Sequence, residues 1–272
     1  EHMKAGARFV EFSGWQMPLQ YEGIINEHLH TRSYVSLFDT SHMGEIFVRG
    51  PQAREVVDYL LTARMEKLDV GQAKYCMMLN ENGGIMDDLI VLRTREEEFM
   101  LVVNAGTRAK DYEWICAHAT GDVEVRDDSE KMGKIDIQGP KAMEILDRLV
   151  EETSEYESVE SLRPFRAGRF NLAGLNVLVS RTGYTGEKGA ELFIEAGQCE
   201  SLWRELIGME PVKPAGLGAR DTLRLEKGLR LYGHDIDETR TPLEANLARF
   251  VYLDKEFIGR DRLLRQREEG VN

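Results

Sequence analysis

Cysteine is scarce: Cys76, Cys116 and Cys199 are the only three in 272 residues, far apart and without a CxxC pair. That excludes a disulfide framework or a thiolate zinc site and leaves buried, reduced thiols as the expectation. The six histidines form no HxxxH or HExxH spacing, so no metal is expected. No apolar run approaches the roughly 18 residues that a membrane-crossing helix needs. The opening "EHMKAGARFVEF" carries no apolar signal-peptide core. A cytoplasmic location is therefore expected, or the mitochondrial matrix in a eukaryote, although no transit peptide is visible. Positive charge is short as well: 35 Lys and Arg against 48 Asp and Glu leave a net charge of −13. Nucleic-acid binding and docking on an anionic membrane both need a basic surface, so neither partner is expected. There is no GxSxG elbow, no Walker A loop and no dinucleotide fingerprint.

What is present reads as an ordinary globular chain, 42% apolar and 8% aromatic, long enough for two domains. Short alternating runs at 44–50, 74–80, 88–94, 97–104 and 134–139 predict strands, three of them as a meander. Apolar residues at helical spacing predict helices over 50–61, 107–119, 139–150, 198–207 and 219–229. "GRFNLAGLNVLVSRTG" predicts a hairpin turning at Ala173-Gly174. The acidic block "EETSEYESVES" (151–161) is read as a solvated segment. "RGPQAREVVDYLL" and "QGPKAMEILDRLV" repeat one pattern, Gly-Pro followed by an apolar helix, which suggests two related subdomains. The fold class is α+β, because hairpin signals join neighbouring strands.

Three stretches carry candidate chemistry. "ENGGIMDDLIV" (81–91) sets Asp87 beside Asp88, and alternation sends them to opposite faces of any strand they enter. The residues alone do not choose which of the two points inward. "RTGYTGEKGAEL" (181–192) joins a glycine-rich loop with Tyr184 to Glu191, a carboxylate on the same face as Phe193 and so in need of a partner. "PAGLGARDTLRLEKG" (214–228) places Arg220, Arg224 and Lys227 on neighbouring helical turns. A solvated face with Asp221–Arg224 pairing and an arginine that grips a carboxylate both fit that pattern.

Taken in order, "FSGWQMPLQYEGIINEH", "LFDTSHMGE", "NENGGIMDDLIV", "IQGPKA", "SRTGYTGEKGAEL", "PAGLGARDTLRLE", "LYGHDIDE" and "TPLEANL" resemble the aminomethyltransferases (T-proteins) of the glycine cleavage system. The resemblance runs from about Gly6 to the end of the sequence. It implies a multi-domain cloverleaf around a central folate cavity, with the C-terminal β-rich domain missing. The implied boundaries are a discontinuous first domain at 1–50 and 140–250, a second at 51–139, and a linker with a helix at 251–272. The implied partner is the lipoylated H-protein, and tetrahydrofolate is the co-substrate.

Residue by residue, the resemblance assigns the catalytic role to Asp88, pointing inward, and leaves Asp87 as the outward, turn-side carboxylate. It assigns folate contacts to Tyr75, Asn104, Tyr184, Glu191 and Arg220. The sequence departs from the family pattern at Leu92, where many members carry Tyr. It departs again at Ala248-Arg249 and at Lys134 and Asp136, where apolar residues are usual and a local salt link is one reading. The absence of a Lys-Gly-Cys loop argues against the iron–sulfur branch of the scaffold. A folate-dependent demethylase acting on another methyl donor and a non-catalytic folate-binding protein are the alternatives.

Overall fold

The computed structural model describes residues 1–152 and 156–270; residues 153–155 of the acidic block and the last two residues lie outside them. In chain order the first elements are β1 (Arg8–Phe12), β2 (Trp15–Gln20), α1 (Ile24–Ser33), β3 (Val35–Asp39), β4 (Gly44–Arg49) and α2 (Ala53–Leu60). Next come β5 (Ala73–Leu79), β6 (Ile85–Arg95), β7 (Glu98–Val103), α3 (Arg108–His118) and β8 (Glu124–Asp127). After these lie β9 (Met132–Gln138), α4 (Ala142–Asp147), β10 (Ala167–Leu172), β11 (Leu175–Ser180) and β12 (Gly189–Glu195). The chain ends with α5 (Ala196–Ile207), β13 (Val212–Pro214), α6 (Leu217–Glu226) and α7 (Arg260–Glu269).

Two compact units divide the chain, Glu1–His42 with Glu130–Leu229, and Met43–Ser129 with the residues from Arg230 onward. The first unit holds a six-stranded sheet in the order β10-β11-β12-β9-β3-β13, antiparallel except for β13 beside β3. One face of this sheet is a conventional apolar core: Ile135, Ile137, Val177, Val179, Leu192 and Ile194 pack with Ile145 and Leu146 of α4 and Leu202 and Leu206 of α5. Each such fully buried side chain contributes about 1.5–3 kcal/mol. Alternation along β9 then sends Lys134, Asp136 and Gln138 to the other face, and all three are fully buried there.

The second unit holds an antiparallel five-stranded sheet in the order β5-β6-β7-β4-β8. Helix α2 buries the stripe Ala53, Val56, Val57 and Leu60, and α3 buries Ile115, in the same core as Leu89, Val91 and Leu101.

The unit boundaries fall elsewhere than the expected ones at 50/51 and 139/140. Strand β4 pairs with β7 and β8, so it lies in the second unit, and β9 pairs with β12 and β3, so it lies in the first. The segment after Arg230, expected partly in the first unit and partly as a linker, instead buries Ile236, Leu247, Phe257 and Leu263 against Met77, Leu79 and Ile85. Its apolar residues need that surface, which is why it does not stand free.

The Gly-Pro repeat is structural, and it occurs once in each unit. Gly50 and Gly139 follow β4 and β9 at nearly the same φ, +137° and +136°, and each precedes a helix. A Cβ at Gly50 would stand 2.2 Å from Asp122 O, and one at Gly139 2.4 Å from Tyr34 O, so both positions need glycine.

Candidate functional site

The meander of the second unit assembles a carboxylate cluster. Strand β6 begins at Ile85, earlier than expected, so Asp87 and Asp88 both sit inside the ladder. Antiparallel register pairs Met77 with Asp88 and Tyr75 with Ile90, which makes Tyr75 a same-face diagonal neighbour of Asp88. Ile90 pairs with Val102, so Asn104, just beyond β7, comes level with Asp88. The Tyr75 hydroxyl donates to Asp88 Oδ2 at 2.9 Å, and Asn104 Nδ2 reaches Asp88 O at 3.0 Å and Oδ1 at 3.2 Å. Tyr75 is braced in turn by an edge-on contact with Phe250, 4.7 Å between ring centres.

Asp88 is half-buried and Asp87 is fully buried. The sequence expectation of an outward Asp87 is therefore corrected. Its face of β6 is shared with Leu89 and Val91 and belongs to the core that also holds Ile115 of α3. Asp87 instead accepts from Asn104 N–H at 3.0 Å and from Asn104 Nδ2 at 2.8 Å. Burial, reinforced by the charge of Asp87, pushes Asp88 up to about 7.

The first unit holds a second cluster, built on the buried polar face of β9. Lys134 Nζ donates to Asp136 Oδ1 at 2.8 Å and meets Glu191 Oε1 at 2.5 Å. Arg220 Nη1 closes on Asp136 Oδ2 at 2.8 Å, while its guanidinium lies 4.9 Å over the Tyr184 ring. The Thr182 hydroxyl donates to Glu191 Oε2. Burial opposes every charge here, yet Lys134 and Arg220 outweigh it and hold Asp136 below its ordinary value, as Asp136 and Glu191 hold Lys134 above its own. Two cations and two anions balance. His42, buried nearby with no partner for Nδ1, is driven down to about 3 by burial and by the adjacent Arg220 and Lys134, and is neutral.

Of the sequence-assigned residues, Tyr75, Asp88 and Asn104 touch one another in the second unit. In the first, Glu191 and Arg220 are joined through Lys134 and Asp136, with Tyr184 under the arginine. The glycine-rich loop has a reason for its glycines: a Cβ at Gly183 or Gly189 would strike the buried Gln138 side chain at 2.2 and 2.4 Å. Asp221 does pair with Arg224 at 2.8 Å, but Arg224 is buried rather than on a solvated face, while Arg220 grips a carboxylate. Leu92 is buried in the sheet. Sequence reasoning missed the roles of Thr182, Asp87 and Asp111. Asp111 had a signal, since it lies four residues before Ile115 on the buried stripe of α3. Among the described residues no group of three or more His, Cys, Asp or Glu could hold a metal ion.

The model of the GCVT N-terminal domain matches residues 1–255. The chain belongs to the GCVT family. It is 47% identical over 276 residues to an aminomethyltransferase of Moorella thermoacetica, covering 100% of this chain and 74% of that protein. An aminomethyltransferase of Pseudothermotoga lettingae is 45% identical over 274 residues, covering 99% and 74%. The crystal structure of glycine cleavage system aminomethyltransferase T from Bartonella henselae superposes with a TM-score of 0.90 at 38% identity, over 99% of this chain and 73% of that one. The chain thus spans about three quarters of the length of these relatives. Membership makes it an aminomethyltransferase of α+β fold, and the salt link read as one option at Lys134 and Asp136 is the buried network just described.

Proposed function

We propose that the protein transfers the methylene carbon of the aminomethyl group on the lipoyl arm of H-protein to tetrahydrofolate. The carbon–sulfur bond to the arm and the carbon–nitrogen bond to the amine both break, and two bonds from that carbon to folate nitrogens form. The two protons those nitrogens lose go to the departing amine and the arm's sulfur, so that ammonia and the dihydrolipoyl carrier leave with 5,10-methylenetetrahydrofolate. The observation that carries this reading is the half-buried Asp88, fixed by Tyr75 and Asn104 and raised to about 7. Such a group exchanges a proton near neutral pH and, when ionised, is a strong oriented acceptor. Its role is to accept a hydrogen bond from the attacking folate nitrogen and so hold that nitrogen's lone pair in line. Tyr75 and Asn104 fix the carboxylate.

Glu191 suits the amino-pyrimidine edge of folate, whose N–H donors stand in a row. Each of its oxygens already accepts one bond, and a carboxylate has about four acceptor sites, so capacity is left. Arg220 and Tyr184 supply a cation and a ring for the rest of the folate. No helix among the described residues is long and apolar enough to cross a membrane, and the unpaired thiols fit the reducing cytoplasm proposed for this reaction. The test offers the enzyme aminomethyl-loaded H-protein, dimethylsulfoniopropionate or a methoxybenzoate, each with tetrahydrofolate. Methylenetetrahydrofolate from the carrier alone supports the reading; methyl transfer from another donor, with none from the carrier, overturns it.

A further inference from the structure

Two buried carboxyl groups of the second unit are not explained by ion pairing. Asp87 on β6 and Asp111 on α3 are both fully buried, and their carboxyls face each other within hydrogen-bonding reach. Asn104 supplies two donors to Asp87. Neither oxygen of Asp111 has a hydrogen-bond partner of ordinary geometry, and the nearby Thr107 hydroxyl donates to Asn104 O at 3.0 Å. Among the described residues the facing cation is Lys110, and it is directed elsewhere: to Met86 O at 2.8 Å, Tyr232 OH at 3.1 Å and Glu238 Oε1 at 2.5 Å. The remaining titratable neighbours are Asp88 on β6, Tyr75 on β5, and Tyr232 and Glu238 from the segment after Arg230. None neutralises a second negative charge.

We propose that Asp87 and Asp111 hold one proton between them, donated from Asp111 to Asp87, and that this singly charged pair is the positioning device for Asn104 and, through it, for Asp88. Two adjacent carboxylates in a dry site do not both ionise, and a proton between them gives Asp111 the hydrogen bond it otherwise lacks. Asp87 then accepts from three donors, and Asn104 Nδ2 is locked where it spans Asp87 and Asp88. Burial raises both carboxyls, Asp111 to about 6. The bond between them raises Asp87 and lowers Asp111, whereas the two donors of Asn104, one on each Asp87 oxygen, favour the ionised form of Asp87 and leave the proton to Asp111. The charge left on the pair also keeps Asp88 basic. This last link rests on the reading of Asp88 as the acting carboxylate; the shared proton does not.

Carbon-13 NMR of protein labelled at aspartate Cγ, assigned with Asp87→Asn and Asp111→Asn, reads the proton directly. One of the two resonances is expected to stay at the protonated position at pH 5 and to titrate near or above neutrality; two ionised signals at pH 5 overturn the proposal. In Asp111→Asn an amide replaces the protonated carboxyl. The melting temperature of wild type is expected to fall relative to this variant as pH rises from 5 to 8, and a pH-independent difference overturns it. The link to Asp88 is read in the pH profile of transfer. In Asp87→Asn, which lacks the adjoining charge, the acid limb should move to lower pH by about one unit. An unmoved limb overturns the link. If Asp87→Asn does not fold, the NMR and melting arms decide. Failure of the Asp88 reading would show separately, as undiminished turnover of Asp88→Asn.

Discussion

At the scale of single residues, charge balance decides what the first unit tolerates. Lys134 is fully buried and is held by two carboxylates, so Lys134→Met leaves Asp136 with Arg220 alone and Glu191 with no cation. Removing one partner of a buried ion pair costs about 3–5 kcal/mol. Urea denaturation of Lys134→Met should show a loss of that order, and a loss near zero would mean that the network is solvated. Glu191→Gln keeps the shape but turns one acceptor into a donor. Folate affinity measured by calorimetry should weaken about tenfold or more, since donors on the ligand lose their acceptor; wild-type affinity would remove Glu191 from the folate contacts.

At the scale of elements, strands and helices followed from periodicity, but the sides they present did not. The strand at 134–139, the meander from 74 to 104 and the hairpin at Ala173-Gly174 lie where alternation and turn residues put them, with φ of +50° and +81° at the turn. Alternation in "KIDIQ" marks one polar face. In isolation that reads as solvent-facing, whereas β9 is an interior strand with β12 and β3 on either side. The same limit misled the reading of Asp87: alternation placed it opposite Asp88, but only the sheet's cover shows that the opposite side is core. Asp88 and its partners became legible through resemblance, because Tyr75, Asp88 and Asn104 meet only by strand register. The Gly-Pro repeat is the clearest element-level signal. Gly139→Ala carries about 1–2 kcal/mol of left-handed backbone cost, before the clash with Tyr34 O adds to it. Thermal unfolding of this variant should shift down by several degrees; an unchanged melting temperature would show that the turn relaxes freely.

At the scale of the molecule, the two units respond to pH in opposite senses. In the first, Asp136 is held below its ordinary value despite burial, so its stabilisation is present above the unfolded value of about 4 and is lost as pH falls through the folded one. In the second, Asp111 at about 6 and Asp88 at about 7 are raised, chiefly by burial. Their contribution is fullest below about pH 4 and is lost as pH rises through 6 to 7. Hydrogen exchange corrected for intrinsic rates should therefore show β6 and α3 losing protection relative to β9 and β12 between pH 5 and pH 8. A gain by β6 and α3 would reverse the sign assigned to those carboxyls.

The proposed action of Asp88 on folate during the transfer is tested by a single comparison. Wild type and Asp88→Asn are each supplied with aminomethyl-loaded H-protein and tetrahydrofolate, and the initial rate of methylenetetrahydrofolate formation is measured with both substrates saturating. The variant keeps Tyr75 and Asn104 within reach but replaces an anionic acceptor with a neutral amide. Its turnover should fall about 100-fold or more, the scale of losing a positioned proton-handling group, while its folding transition is retained. Turnover equal to wild type would contradict the claim.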